Sequence, residues 1–337
     1  MLSDKRLVMN MKQSVRMRRR QLLKLMAATG LSYGGHAWAS ALSDRPIVLI
    51  CPFAAGGTVD QYLRVIGKVA EGILGRTIVV ENKPGAGGAL ATDHITRMKP
   101  DGHTLLFMPG GAFRAPWLQD SVRFDPTRDF TYIIGLTNLA FCLCVRDDSP
   151  LVDFEAFIRA GREKPGSIQY AAGSPVTLAP ITMASFQRKY GVEYQHIPYN
   201  SGVEITSALL GGHVDALMDS VGANVPHINS GRLRLLASLG TERLKPWPNV
   251  PTALEQGYSL VLEGPMGLVG PKGMDDALVG ELHDVFHQAM QDPEVGKILD
   301  AIVQPAWYRD PKAYAEYAAE AYVEAGRMVS AAGLSVK

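Results

Sequence analysis

The chain has 337 residues, 47% apolar and 20% charged, enough for two α/β domains and too evenly mixed for a disordered or fibrous protein. Of its 34 Lys/Arg and 33 Asp/Glu, residues 1–40 hold eight basic and one acidic, so the rest carries 26 against 32; a net-acidic body argues against a nucleic-acid partner, which needs concentrated cationic charge. Cys51, Cys142 and Cys144 show no CxxC or Cys/His spacing, which argues against a disulfide framework and a structural zinc site.

Residues 1–41 read as an export address. Arg18-Arg19-Arg20-Gln21-Leu22-Leu23-Lys24 precedes a weakly apolar run through Leu31 and then Ala37-Trp38-Ala39, a small-x-small cleavage pattern. The segment from Arg19 to Lys24 is twin-arginine-like, with Leu where Phe is usual. A basic amphipathic helix on a membrane surface is the other reading. No later stretch approaches the roughly 20 apolar residues of a membrane span, so the expectation is a soluble protein outside the cytoplasm.

From Arg45 short β-branched runs alternate with helical patterns: strand 45–52, helix 60–74 with Leu63, Ile66, Val69, Ala70, Ile73 and Leu74 on one face, strand 78–81, helix 89–98 and strand 104–108. In the extended run Phe141-Cys142-Leu143-Cys144-Val145 both thiols share a face at the limit of bridging distance. Buried free thiols are expected there, because Cys packs as a small hydrophobe. A second series begins near Asp147: helix 154–162, strand 167–172, helix 181–190, strand 194–198, helix 203–210, strand 214–219, a short helix to Ser230 and strand 233–239. Three helical stretches close the chain, 275–290, 293–302 and 311–332, with no strands expected between them. The alternation predicts α/β architecture with mainly parallel sheets flanked by helices. It divides into a discontinuous first domain, 45–142 plus 266–337, and an inserted second domain, 143–265, joined by two crossings that form a hinge.

The most informative loop is Pro52-Phe53-Ala54-Ala55-Gly56-Gly57-Thr58-Val59-Asp60, between the first strand and the first long helix. Ligands of open α/β sheets bind beyond the carboxyl ends of the strands, where N–H groups at a helix start point outward. Gly56 and Gly57 permit close backbone approach, Thr58 offers a hydroxyl, and Asp60 is a candidate helix cap. The spacing fits neither a Walker loop nor GxGxxG, so a nucleotide phosphate is disfavoured. Similar strand-end loops recur at 82–88, at Pro109-Gly110-Gly111-Ala112, at Gly173-Ser174-Pro175-Val176-Thr177 and at Pro198-Tyr199-Asn200-Ser201-Gly202. Each is equally explicable as a tight connection; if both sheets aim their carboxyl edges at one cleft, they would hold a small polar ligand with Tyr199 as an aromatic wall.

A catalytic set is not evident, since GxSxG, HExxH and SxxK with its partners are all missing. His283 and His287 share a helix face but lack further ligands, so a solvated or packing role is favoured over a metal. Asp219, ending the strand at Met218-Asp219-Ser220, is open to three readings: base, ligand contact or helix cap.

Taken in order, Pro52-Phe53 with Gly56-Gly57-Thr58-Val59-Asp60, Val79-Val80-Glu81-Asn82-Lys83-Pro84-Gly85-Ala86-Gly87-Gly88, Pro100-Asp101-Gly102-His103-Thr104-Leu105-Leu106, Asp125-Pro126 with Asp129-Phe130, His196-Ile197-Pro198-Tyr199, Leu210-Gly211-Gly212-His213-Val214-Asp215 and Pro248-Asn249-Val250-Pro251-Thr252 span nearly the whole exported chain. This series resembles the Bug-type extracytoplasmic solute receptors of tripartite tricarboxylate transporters. The resemblance implies a periplasmic binding protein of type II-like, two-domain, hinge-closing form, without catalysis or cofactor. It would take a small carboxylate or related organic acid or amide, and its partners would be the permease subunits of the membrane transporter. By position it places Phe53, Gly57, Thr58 and Asp60 on one wall, Gly110 on a second, and Ser174, Thr177, Tyr199, Asn200 and Asp219 on the opposing domain; a monomer is expected.

The sequence departs from the family pattern where specificity would lie. Ala54-Ala55 replace a common Pro pair, Asn200 stands where Lys or Arg is common, and Glu204 where Pro is frequent. Losing a cation and gaining a carboxylate near the pocket predicts a ligand with one carboxylate or an amide and a less acidic far end. Two other readings stay open: an exported enzyme using Asp219 or Asp60 as general base, and a sensory receptor docking on a membrane kinase.

Overall fold

The computed structural model describes residues 42–334 and Val336; the export segment expected over residues 1–41 lies outside them. The chain runs β1 (Ile47–Cys51), α1 (Thr58–Leu74), β2 (Ile78–Asn82), α2 (Ala89–Ile95), β3 (Thr104–Met108), α3 (Gly111–Leu118), β4 (Phe130–Arg146), α4 (Phe154–Glu163), β5 (Gln169–Ala172) and α5 (Leu178–Tyr190). It continues through β6 (Gln195–Pro198), α6 (Gly202–Leu210), β7 (Ala216–Ser220), α7 (Val225–Asn229), β8 (Leu233–Ser238), β9 (Glu263–Pro271), α8 (Asp276–Met290), α9 (Pro293–Ala301), β10 (Ala306–Arg309) and α10 (Pro311–Ala331).

The strands form one path, β2-β1-β3-β9-β4-β7-β5-β6, with β8 and β10 also paired to β4. Its wings are parallel, as alternation predicts, whereas β9 and β4 run antiparallel through the middle. β4 explains how one path serves two halves. It is 17 residues long, about three times an ordinary strand. Its residues from Phe130 to Ala140 pair with β9, and those from Phe141 to Val145 pair with β7.

Both faces of each half are covered, and strand alternation distributes the side chains. In the first half Leu49, Leu105 and Phe107 point to a core shared with Leu63 and Ile66 of α1 and Phe286 of α8. Their neighbours Ile50, Leu106 and Met108 point to the opposite core, under Phe113 of α3 and Tyr314 of α10. In the second half Leu143, Val145, Tyr170 and Met218 join Phe154, Phe157 and Phe186, while Cys142, Cys144, Ala171 and Leu217 face Ile205 and Leu209 of α6. The two thiols are free and buried, as expected, with 3.6 Å between the sulfurs.

Two expectations about the carboxyl-terminal region change. β9 precedes the closing helices and β10 separates two of them. The last helix also does not cover the first half alone: Val329 and Ala332 pack on Ile181 of α5, and Met328 packs on the second half's core. Small residues let it lie close against α3, where a Cβ on Gly326 would meet Trp117 at 2.7 Å. No helix among the described residues is long and apolar enough to cross a membrane.

Phe157 is fully buried and stacks on Tyr194 with ring centroids 4.2 Å apart. Phe157→Ala should cost about 3–5 kcal/mol of stability, read as a lowered midpoint in equilibrium urea unfolding.

Candidate functional site

Helices across the fold begin in two different ways. α4, α8, α9 and α10 are capped by their own aspartates, where Asp153, Asp275, Asp292 and Asp310 each accept a hydrogen bond from a first-turn N–H, and α6 is capped by Ser201, which accepts from the Glu204 N–H. The helices that start at glycine or threonine turns beyond β1, β3 and β5 are N-capped by Gly57, Gly110 and Thr177, with no side-chain cap bond. In α1 and α5 the first N–H groups therefore lack a side-chain acceptor, whereas in α3 the Ala112 and Phe113 N–H groups already donate to the Pro109 and Gly110 carbonyls at 2.9 and 3.4 Å. The first turn of α5 holds no acidic residue to offset its partial positive charge, while that of α1 holds Asp60.

These turns face one another. A Cβ on Gly87 would lie 3.8 Å from Val176 Cγ2 and 4.0 Å from Thr177 Cγ2, so the 86–88 turn of the first half abuts the 174–177 turn of the second. A Cβ on Gly222, just past β7, would meet Thr58 Cγ2 at 2.5 Å; only glycine admits that approach. The structure thus brings Gly57, Thr58, Gly110, Ser174 and Thr177 to the edges where the halves meet.

The first loop owes its shape to Asp60, which is 3% exposed. Asp60 Oδ2 accepts from the Gly56 N–H at 2.9 Å and from Arg64 Nε at 3.0 Å, and Oδ1 accepts from Asn82 Nδ2 at 2.8 Å. Asn82 also donates to the Phe53 carbonyl at 3.0 Å. Burial alone would raise this carboxyl's pKa, but the bonds from Arg64, Gly56 and Asn82 hold it below the usual carboxylate range. Asp60 is therefore saturated by the chain itself and fixes Gly56, at φ 79°, rather than capping α1. Sequence reading missed Arg64 and Asn82 as its partners, although the i,i+4 spacing of Asp60 and Arg64 signals the first.

Across the gap, Thr177 Oγ1 donates to the Ser174 carbonyl at 2.8 Å, and a His196 ring nitrogen lies 2.9 Å from the Gly173 carbonyl, steadying that turn. Tyr199 is half-buried against the core under α6. Asn200 is exposed and its N–H donates to Glu204 Oε2 at 3.1 Å, so the carboxylate is turned onto its own loop. Asp219 caps neither neighbouring helix: Ser201 caps α6, and α7 starts at Asn224 with no side-chain cap bond. Its Oδ2 is shut off from solvent without a partner and sits against Gly202, where a Cβ would lie 2.8 Å away. Burial pushes this carboxyl up to about 6, against the lowering effect of the Ser220 N–H.

The model of the tripartite tricarboxylate transporter family receptor matches residues 62–334. The chain belongs to this receptor family. It is 37% identical over 310 residues to the UPF0065 protein in the gbd 5' region of Cupriavidus necator, covering 92% of this chain and 94% of that one. Among solved structures, the periplasmic binding protein BugD is similar with a TM-score of 0.80 at 25% identity, covering 87% of this chain and 99% of that one. MatC from Rhodopseudomonas palustris, solved with bound malate, is similar with a TM-score of 0.77 at 26% identity, over 85% and 99% of the two chains. The Bug-type resemblance read from the ordered motifs is thereby shown, and so is the α/β binding-protein fold. His283 and His287, the pair with ligand-like spacing, instead stack with Tyr308 at the surface.

The raised Asp219 pKa fixes a sign. Below the unfolded value of about 3.9 the carboxyl is protonated in both states and costs nothing. As pH rises from about 4 to about 6 the unfolded chain ionises first, and the folded state loses ground. Asp219→Asn should therefore stabilise the protein by roughly 2–3 kcal/mol at pH 7.5 and hardly at all at pH 4, checked by urea unfolding at both values.

Proposed function

We propose that the chain is an extracytoplasmic solute receptor that captures a small carboxylate, or a related organic acid or amide, between its two sheet halves. It then presents the cargo to the permease subunits of a tripartite tricarboxylate-type membrane transporter. The observation that carries this reading is the set of helix starts lacking side-chain caps at the meeting edge, in a fold that caps its other long helices with aspartate. A ligand carboxylate would replace the missing caps, accepting from main-chain N–H groups of both halves, with Thr58 and Ser174 hydroxyls beside it and Tyr199 as an apolar wall. Malate bound to MatC supports the ligand class.

In this reading the halves are the two hinged domains, 45–142 plus 266–337 and 143–265, and closure about β4 and β9 excludes water from the amide-to-carboxylate bonds. Residues 1–41 would direct the chain to the periplasm by a twin-arginine-like route, and it would act there as a monomer without catalysis.

A thermal-shift screen of small carboxylates and amides on the exported protein should find a stabilising ligand, worth about 2.7 kcal/mol at a hundredfold excess over its Kd. Mass spectrometry should recover that ligand unchanged; turnover would favour the exported-enzyme alternative. Thr58 is the first residue of α1, and Gly57 before it is extended, at φ −71° and ψ 166°, so Thr58→Pro is compatible with the backbone and deletes one open N–H. Calorimetry should show Thr58→Pro weakening binding by about 10- to 100-fold, and Thr58→Val, which keeps the N–H, weakening it less.

A further inference from the structure

We propose that Val303 is a strained wedge between the two sheet halves, held in a left-handed backbone conformation so that its side chain sets the angle at which they meet. The inference goes beyond the receptor reading and does not depend on what the cleft binds.

α9 ends in a turn where the Val303 N–H donates to the Asp300 carbonyl at 3.2 Å and the Gln304 N–H donates to the Leu299 carbonyl at 2.9 Å, the paired bonds of a Schellman cap. The first of these two residues must take a left-handed backbone, and glycine is its usual occupant because a Cβ there crowds the following carbonyl. α6, α7 and α10 close with the same pair of bonds, each around a glycine: Gly212, Gly231 and Gly333, at φ 71°, 72° and 66°. At the end of α9 the position holds valine, at φ 52°. A β-branched side chain is a poor occupant of that region, since its two methyl groups add to the crowding and leave χ1 little freedom to relieve it.

What the side chain gains lies on the other half. Ile302 is buried in the first half's core with Val295 and Leu299, whereas Val303, next in sequence, packs on the second half's cluster of Leu217, Val221 and Leu235. Adjacent residues of one turn thus enter two different cores. The turn is also clamped to the strand that joins those cores. The Asn138 N–H and Thr137 Oγ1 both donate to the Pro305 carbonyl, at 3.1 and 2.9 Å, just before β4 passes from β9 to β7 at Ala140 and Phe141. A Cβ on Gly222 would lie 3.0 Å from the Ile302 carbonyl oxygen, so the second half meets the backbone of this turn as well as its side chain. A rotation about β4 that parts this junction withdraws Val303 from apolar contact and leaves its backbone strained with nothing to offset the cost. The strain therefore favours the one arrangement in which the valine is covered.

The test uses the exported protein without added ligand, as Val303→Ala and Val303→Gly beside the unaltered valine, with spin labels on cysteines introduced at the exposed Lys99 and Lys164, one on each half. The unaltered protein should give one narrow distance distribution, and both variants, having lost the contact, should broaden or displace it. Urea unfolding separates strain from contact: Val303→Ala keeps most of the strain and should unfold at a lower midpoint than the unaltered protein, while Val303→Gly, which suits the turn, should unfold at a higher midpoint than Val303→Ala. A broad distribution in the unaltered protein overturns the proposal, as does an unchanged one in Val303→Gly. A Val303→Gly midpoint no higher than that of Val303→Ala overturns the strain on which it rests.

Discussion

A helix that starts without a side-chain cap leaves donors that must find water or a guest, and the placement of such helices organises this molecule. Asp153, Asp275, Asp292 and Asp310 close the starts of α4, α8, α9 and α10. At Gly57 and Thr177 no such closure exists, and both starts lie where the two halves meet. An aspartate at either position would place a carboxylate where an anionic ligand would sit, satisfying the N–H groups and repelling the ligand together. The choice of glycine and threonine is thus a small local loss of helix stability, on the order of a few tenths of a kcal/mol each, that leaves donors available.

Keeping such turns rigid needs support from below. Asp60 supplies it on one side by tying Gly56, Arg64 and Asn82 together, and Asn82 extends the tie to Phe53. On the other side the Thr177 hydroxyl and the His196 ring both engage carbonyls of the 173–174 turn. In each case a polar side chain satisfies backbone groups that would otherwise compete for the ligand-facing donors. Asp219 is different, since its Oδ2 has no partner and its burial beside Gly202 favours the protonated form.

The wings of the fold were legible in the sequence because each strand there is short and followed by a helix, and the inner ones are buried on both faces: Leu63, Ile66 and Ala70 fall on the sheet side of α1 as their spacing predicts. The middle was not. β4 and β9 are apolar on both faces and lack regular alternation, and β10 is four residues long and mostly exposed, so periodicity gives no signal for them. The strand-end glycine loops marked the edge where ligand chemistry belongs, but Gly222 escaped because its role is close approach to Thr58 across the gap.

The connections between the halves bear on how capture is coupled to motion. β4 and β9 are continuous through the transfer at Ala140 and Phe141, and a paired ribbon bends and twists more readily than it stretches. α10 adds a third link, from Tyr314 in the first half to Val329 on Ile181 in the second, which two flexible crossings alone would not provide. Any change in the angle between the halves must therefore slide or tilt α10 against α5, so the packing of Val329 and Ala332 on Ile181 limits how far the halves can turn about β4 and β9.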